Sequence, residues 1–160
     1  MMIAWLELRP GSTAGFGVNA GYTRHVAANR ESLMETLQRT AEALPAVDVL
    51  VLFGSCAGGS PRANSDVDVA IGLSGRSAGI RRAVEVAFAR AVDQPVDVSF
   101  LDTAPSQLRF EMARSGVLLF ERTRGAWARE RARAMVDWWD WAPLARRIHD
   151  RAVARLRAEA

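Results

Sequence analysis

Two acidic residues on one predicted strand, Asp66 and Asp68, are the first candidates for chemistry in this chain of 160 residues. Only Val67 separates them, and residues two apart on a β-strand point to the same face, so the two carboxylates lie side by side. Carboxylates that close repel each other unless a divalent cation lies between them, and oxygen ligands combined with substrate phosphates favour Mg²⁺. A third acid, Asp97, lies on the polar phase of a later apolar–polar alternation, and it would complete a two-metal site if its strand is the neighbour.

A turn suited to phosphate precedes these acids by ten residues. The β-rich run 47–53 ends at Gly54-Ser55, where backbone amides and a hydroxyl lie at the start of a possible helix, an arrangement that suits a phosphate. Gly58 and Gly59 allow a ligand to approach the backbone closely. Each feature alone is typical of an ordinary turn or a solvated strand edge, whereas their occurrence in this order favours a phosphate and metal site.

Helical and strand patterns alternate along the chain, which predicts an α/β (α+β) fold. Asn29 is a candidate N-cap for a first helix that Pro45 stops. The pattern then predicts strands at 47–53, 66–71, 96–100 and 117–121, with helices at about 78–92 and 106–115. Beyond them it predicts two arginine-rich helices, 126–137 and 143–158, separated by Trp138, Trp139 and Trp141.

These elements divide the chain into three predicted parts. Residues 1–28 form an N-terminal extension with four glycines and no helical period. Residues 29–122 form the main domain, and residues 123–160 form a C-terminal Arg/Trp-rich helical segment that packs on it.

Composition excludes several classes of protein. All 21 basic residues are arginine, and the net charge is +3 with a sequence pI of about 10.3. A single cysteine, Cys56, excludes a disulfide framework and a multi-cysteine metal site. The longest apolar run, 49–53, is too short to span a membrane, and the first residues lack the pattern of a signal peptide, so we expect a cytoplasmic protein.

The arginines are concentrated in the last part of the chain, where ten of the 21 lie at or after Arg122. The predicted metal site is acidic instead, so the basic pI does not indicate a nucleic-acid substrate. Arginines combined with tryptophans are typical of a surface that binds an acidic partner protein. An arginine-rich composition throughout the source genome is the alternative interpretation.

The motif residues resemble those of the polymerase-β-type nucleotidyltransferases, and in particular the small stand-alone MNT proteins. The resemblance rests on residues 52–59 (LFGSCAGG), 65–70 (SDVDVA), 96–98 (VDV) and 116–122 (GVLLFER). It implies a mixed β-sheet flanked by helices, with a C-terminal helical extension.

The resemblance implies that the three acids are catalytic. Asp66 and Asp68 would bind two Mg²⁺ ions, and Asp97 would bind the catalytic one and also accept a proton. An acceptor hydroxyl would attack the α-phosphate of ATP in line, and pyrophosphate would leave.

The resemblance also implies the contacts to the nucleotide. Gly54 and Ser55 would hold the triphosphate of ATP, and Ser65 belongs to the same nucleotide-binding set. Many relatives carry a basic residue where this chain has Gly58, so we assign that positive charge to Arg62.

Stand-alone proteins of this kind are commonly antitoxins that are paired with a HEPN-domain ribonuclease toxin and adenylylate one of its tyrosines. The resemblance therefore implies a protein adenylyltransferase with a HEPN partner and no membrane partner. Two alternatives stay open: nucleotidyl transfer to a small-molecule hydroxyl, as in aminoglycoside-modifying relatives, or a non-catalytic antitoxin that neutralises its toxin by binding.

Three further groups of residues have structural interpretations. We expect Cys56 to be a small buried side chain and His149 to be solvated on the last helix. The three tryptophans at 138, 139 and 141 are too many for one narrow face, so we expect some to pack on the sheet domain and others to form a partner surface.

Overall fold

The computed structural model describes the backbone of residues 20–58 and 66–158, and the side chains of residues 29–58 and 66–158. Two predicted nucleotide contacts, Arg62 and Ser65, lie outside the described residues, as does most of the predicted N-terminal extension. Within the described ranges, helices and strands alternate as the sequence pattern predicts.

The helices of the described part are α1 (Ala20–Ala43), α2 (Gly54–Ala57), α3 (Ala78–Ala91), α4 (Ser106–Ser115) and α5 (Ala126–Ala158). The strands are β1 (Val47–Phe53), β2 (Val67–Leu73), β3 (Val96–Phe100) and β4 (Val117–Glu121). The predicted strands, and the predicted helices that correspond to α3 and α4, are therefore confirmed to within two residues at each end. Among the described helices, none is both long and apolar enough to cross a membrane.

The four strands form one mixed sheet in the order β3-β2-β1-β4. β1 is antiparallel to both of its neighbours, whereas β2 and β3 are parallel, and α3 supplies the crossover that a parallel pair requires. β1 is buried along almost its whole length, as expected for an apolar run in a central strand with both faces covered. The predicted mixed sheet flanked by helices is confirmed.

Hydrophobic clusters cover both faces of this sheet, because successive side chains of a strand point to opposite faces. On one face, Leu52 clusters with Leu37 of α1 and Phe88 of α3. On the other face, Val51 clusters with Met112 of α4. The sheet is thus held between two layers of helices, which leaves the ends of its strands as the places where polar side chains can gather.

The first helix is longer than the sequence pattern indicates. α1 begins at Ala20, so the prediction of Asn29 as its N-cap is wrong, and the predicted domain boundary between residues 28 and 29 lies within the helix. Asn29 is tolerated inside the helix because it is exposed. Relative to alanine, an exposed asparagine in a helix interior lowers helix stability by less than about 0.7 kcal/mol.

The C-terminal segment is one helix, so the prediction of two helices is wrong. α5 contains 33 residues, with Pro143 inside it. Pro143 cannot donate a hydrogen bond to the carbonyl of Trp139, and its ring crowds the preceding turn. The alanine- and arginine-rich sequence on both sides has high helix propensity, and Ala142 is buried against the domain, so the helix continues through the proline.

The start of α5 is held by a carboxylate. Glu121, the last residue of β4, accepts hydrogen bonds from the backbone N–H of Gly125 at 3.0 Å and of Trp127 at 3.1 Å. These hydrogen bonds lower the pKa of Glu121, and the bond from Gly125 has the largest effect. The contact satisfies the N–H group of Gly125, the residue before α5, and that of Trp127 in its first turn, and the buried side chain of Trp127 then anchors α5 to the sheet.

Candidate functional site

The turn between β1 and α2 brings glycine directly against an acidic side chain. Phe53 has extended backbone, and Gly54 follows with a φ of +69°, a conformation that favours glycine. A Cβ atom on Gly54 would overlap the Oδ2 atom of Asp68. The turn residue therefore has to lack a side chain for the strand end and the carboxylate to approach each other this closely.

Asp68 is the centre of an acidic row across the sheet. It lies opposite Phe53 of β1 and opposite Asp97 of β3, in register with both. Neighbouring residues in register point to the same face of a sheet, and Asp66 lies two positions before Asp68, so all three carboxylates share one face. We call Asp66, Asp68 and Asp97 the acidic row.

The charges of the acidic row oppose one another. Burial raises the pKa of Asp68, and the negative charges of Asp97 and Asp66 raise it further. Among the described residues, no arginine or histidine forms an ion pair with any member of the row. The site therefore concentrates negative charge that the described part of the chain does not compensate.

This chemistry fits a divalent cation with oxygen ligands. Asp66 and Asp97 are exposed and Asp68 is half-buried, so a hydrated ion can reach all three carboxylates. Within the described ranges, however, no group of three acidic, histidine or cysteine side chains is arranged so that it could hold a metal ion. A cation bound beside the acidic row would offset the negative charges of Asp97 and Asp66, which add to the effect of burial on the pKa of Asp68.

Arg30 of α1 donates hydrogen bonds to the segment that follows Gly54. The sequence pattern does not reveal this contact. Its Nε atom donates to the carbonyl of Cys56 and its Nη2 atom to the carbonyl of Ala57, both at 3.1 Å. These carbonyls belong to α2, a helix of four residues that has few hydrogen bonds of its own. Arg30 is 26 residues from Cys56 in the chain, so only the packing of α1 shows the contact.

Cys56 links the same turn to the acidic row. Its side chain is 5% exposed, which confirms the prediction of a small buried residue. The Sγ atom lies 3.6 Å from the backbone oxygen of Asp66, where it can donate a weak hydrogen bond. Three contacts, two from Arg30 and one from Cys56, therefore connect α1, α2 and the residue before β2.

The order of these features along the chain matches a known family. The sequence profile described as "Polymerase beta, Nucleotidyltransferase" matches residues 35–125, more than half of the chain and including all the site residues described above except Arg30. The chain belongs to the polymerase β nucleotidyltransferase family. No curated protein matches the chain in sequence.

Solved structures share the fold of this nucleotidyltransferase. A crystal structure of a toxin–antitoxin with AMP-PNP matches with a TM-score of 0.64 and 21% identity, over 78% of this chain and 98% of the matched chain. The toxin–antitoxin MntA-HepT matches with a TM-score of 0.59 and 20% identity, over 79% and 98%. A tri-AMPylated Shewanella oneidensis HEPN toxin in complex with MNT antitoxin matches with a TM-score of 0.59 and 19% identity, over 80% and 98%. At these identities, the similarity shows a common fold.

The acids and the glycine turn of this nucleotidyltransferase thus lie together. Ser55 is exposed at the start of α2, beside Gly54. Gly58 is the C-cap of α2, and its N–H donates to the carbonyl of Gly54 at 3.3 Å. Arg62 and Ser65 stay predictions, because they lie outside the described residues.

The tryptophans of α5 divide between packing and exposure. Trp138 stacks on Phe110 of α4 with ring centroids 5.1 Å apart, and Trp141 contacts Trp138 at 5.8 Å. Trp139 is 67% exposed. His149 is exposed on the same helix, as predicted, and it lies 3.5 Å from the carboxylate of Asp150.

Proposed function

We propose that this chain transfers AMP from ATP to the hydroxyl of a tyrosine on a HEPN-domain ribonuclease toxin, and that it acts as the antitoxin of that toxin. The observation that carries the proposal is the acidic row beside the Gly54 turn, because cations held by the row would lie next to phosphates held by the turn. The solved structures with the same fold support the choice of partner, since one contains an AMPylated HEPN toxin and another contains AMP-PNP.

Each residue of the site has a part in this reaction. Gly54 and Ser55 bind the triphosphate through the backbone amides at the start of α2, which lack acceptors within the helix. Asp66 and Asp68 would hold two Mg²⁺ ions, and Asp97 would hold the catalytic one. When bound, Mg²⁺ supplies positive charge that neutralises the phosphates and lowers the pKa of the attacking hydroxyl.

The transfer balances without another reactant. The tyrosine oxygen forms a bond to the α-phosphorus of ATP, and the bond between that phosphorus and the bridging oxygen to the β-phosphate breaks. Pyrophosphate leaves with the bridging oxygen, and Asp97 accepts the proton of the hydroxyl.

The openness of the site favours a protein acceptor over a small molecule. Asp66 and Asp97 are exposed, so a tyrosine on another protein surface can reach the acidic row. A small-molecule acceptor would instead need a concave pocket that buries most of its surface. The presence of all three carboxylates favours catalysis over an antitoxin that acts by binding alone.

The test uses ATP labelled at the α-phosphate and a purified HEPN-domain protein from the same genome. Wild-type protein with Mg²⁺ should label the HEPN protein, and mass spectrometry should locate AMP on a tyrosine. Asp68→Asn should lower the transfer rate about a hundredfold or more, because the metal site supplies several kcal/mol of charge stabilisation. The matched control is Asp93→Asn, since Asp93 is an exposed acid in the loop before β3.

Two results would overturn the proposal. Undiminished labelling by Asp68→Asn would remove the acidic row from catalysis. Labelling of an aminoglycoside but of no protein hydroxyl would assign the small-molecule alternative instead.

A further inference from the structure

The second half of α5 has an apolar face that the described part of the chain does not cover. α5 is about 50 Å long at 1.5 Å per residue, whereas its packing partner α4 has only ten residues and is about 15 Å long. The buried residues of α5 are Trp127, Ala134 and Ala142. The helix therefore continues for more than four turns beyond its last buried residue.

The apolar residues of this half form one row. Leu144, Ile148 and Leu156 are 45%, 55% and 67% exposed, and Ala152 occupies the remaining position of the row. Residues four apart lie on the same side of a helix, so the four side chains form a single ridge. We call these four residues the apolar row.

Arginines form a second row beside the first. Arg147, Arg151 and Arg155 have the same spacing of four, and each precedes a member of the apolar row by one position. Residues 143–158 contain five arginines and one acid, Asp150, which gives a net charge of +4 with His149 neutral. None of these five arginines forms an ion pair with another described residue.

We infer that this half of α5 is a docking surface for an acidic amphipathic helix of the partner protein. The inference rests on the proposed function only for the identity of the partner, the HEPN toxin. A partner helix with apolar residues at the same spacing would fit its side chains beside the ridge, and the small Ala152 leaves room for one of them. Acidic residues flanking that apolar stripe would complement the arginine row.

Other occupants fit this surface less well. A second copy of the chain would bring two faces of charge +4 together, which electrostatic repulsion opposes. RNA phosphates would contact the arginines but leave the leucines and Ile148 in water. An anionic membrane prefers a wide apolar face, whereas this row is one side chain wide.

Three double variants of the full chain test the inference, with binding to the purified HEPN protein measured by biolayer interferometry without ATP. Leu144→Ser with Ile148→Ser removes half of the apolar row. Arg147→Glu with Arg151→Glu reverses two charges of the arginine row. Arg146→Glu with Arg157→Glu is the matched control, because both residues lie outside the arginine row and the charge change is the same.

The expected results differ among the variants. The apolar variant should weaken binding about tenfold or more at every salt concentration, as loss of central apolar anchors does. The arginine variant should weaken binding by a similar factor at about 0.1 M salt, and by much less at about 1 M, where screening reduces the range of charges to about 3 Å. The control should change the affinity less than about twofold. Circular dichroism should be unchanged in all three, since the replaced side chains are not buried.

Each failure has a separate meaning. Tight binding of the HEPN protein that is indifferent to both variants would overturn the docking surface while leaving AMP transfer intact. Binding through α5 without any transfer of AMP would overturn the proposed function alone. Loss of binding to single-stranded RNA, to phosphatidylserine vesicles or to a second copy in the same variants, with affinity for the HEPN protein unchanged, would assign the surface to that other occupant.

Discussion

The carboxylate of Asp68 occupies the space that a side chain on Gly54 would need. This contact joins the end of β1 to the start of β2, which are antiparallel neighbours in the sheet. It brings a positive-φ turn into van der Waals contact with an acid of the proposed metal site, so the geometry of this turn depends on the glycine.

Replacement of Gly54 by alanine should therefore damage both stability and activity. The new Cβ would push the Asp68 carboxylate aside, and a non-glycine residue at this φ costs about 1–2 kcal/mol. We expect a lower midpoint of urea unfolding and a loss of AMP transfer well beyond what the unfolded fraction explains. Gly58→Ala is the matched control, because its φ is −72° and the nearest atom to its Cβ is 3.8 Å away. Equal effects of the two substitutions would contradict the importance of the Gly54–Asp68 contact.

Replacement of Asp68 by asparagine should raise the stability of the metal-free protein at neutral pH. The pKa of Asp68 is raised in the folded state, so the folded protein binds this proton more tightly than the unfolded chain. The stability that Asp68 contributes is then full below its unfolded pKa of about 3.8 and is lost as the pH rises through the folded value. The asparagine amide has no charge to repel Asp66 and Asp97, so the advantage of Asp68→Asn in melting temperature should be present at pH 7 and vanish near pH 3, below the unfolded pKa.

Addition of Mg²⁺ provides the complementary measurement for Asp68. A cation bound by the acidic row stabilises the folded protein by mass action, so Mg²⁺ should raise the melting temperature of the wild type. The increase should be much smaller in Asp68→Asn. Two results would contradict electrostatic repulsion within the acidic row. One is a difference in melting temperature between metal-free wild type and metal-free Asp68→Asn that does not change with pH. The other is an equal increase in melting temperature of both proteins on addition of Mg²⁺.

Local spacing was sufficient to predict the pair Asp66 and Asp68 and the glycine turn, because each depends on neighbours in sequence. Asp66 and Asp68 share a face through the period of a strand, and Asp97 lies on the polar phase of its own strand. That β2 and β3 are adjacent and parallel was not readable from the spacing itself. The family resemblance supplied the mixed sheet, and the register of Asp68 with Asp97 is a result of the structure.

The features that sequence reasoning missed depend on tertiary contacts. Arg30 reaches α2 only because α1 packs against the sheet, and no local pattern distinguishes it from the exposed Arg39. The break predicted near Pro143 is wrong for a related reason. Propensity marks proline as a helix end, whereas packing of Trp138 on Phe110 and burial of Ala142 hold the helix on the domain up to that point.

Replacement of Arg30 by alanine should loosen the phosphate turn without touching the acids. The variant loses two charge-assisted hydrogen bonds to the carbonyls of Cys56 and Ala57. Each bond of this kind contributes up to about 3 kcal/mol to the free energy of unfolding. We expect a higher KM for ATP with a smaller change in kcat, measured by AMP transfer at saturating HEPN protein. Arg39→Ala is the control, since Arg39 is exposed and its hydrogen bonds are to its own helix. A fall in kcat at unchanged KM would contradict a role confined to the turn.

Replacement of Pro143 by alanine tests whether α5 is one helix. In a continuous helix the new N–H can donate to the carbonyl of Trp139, and alanine is favoured over proline in a helix interior by up to about 3 kcal/mol. We expect slower amide hydrogen exchange at residues 139–150 and a higher melting temperature, with AMP transfer unchanged because Pro143 belongs neither to the acidic row nor to the Gly54 turn. If the chain instead formed two helices, Pro143 would stand in the first turn of the second helix, where proline is favourable. The substitution would then leave exchange unchanged or make it faster, and that result would contradict the continuous helix on which the docking surface depends.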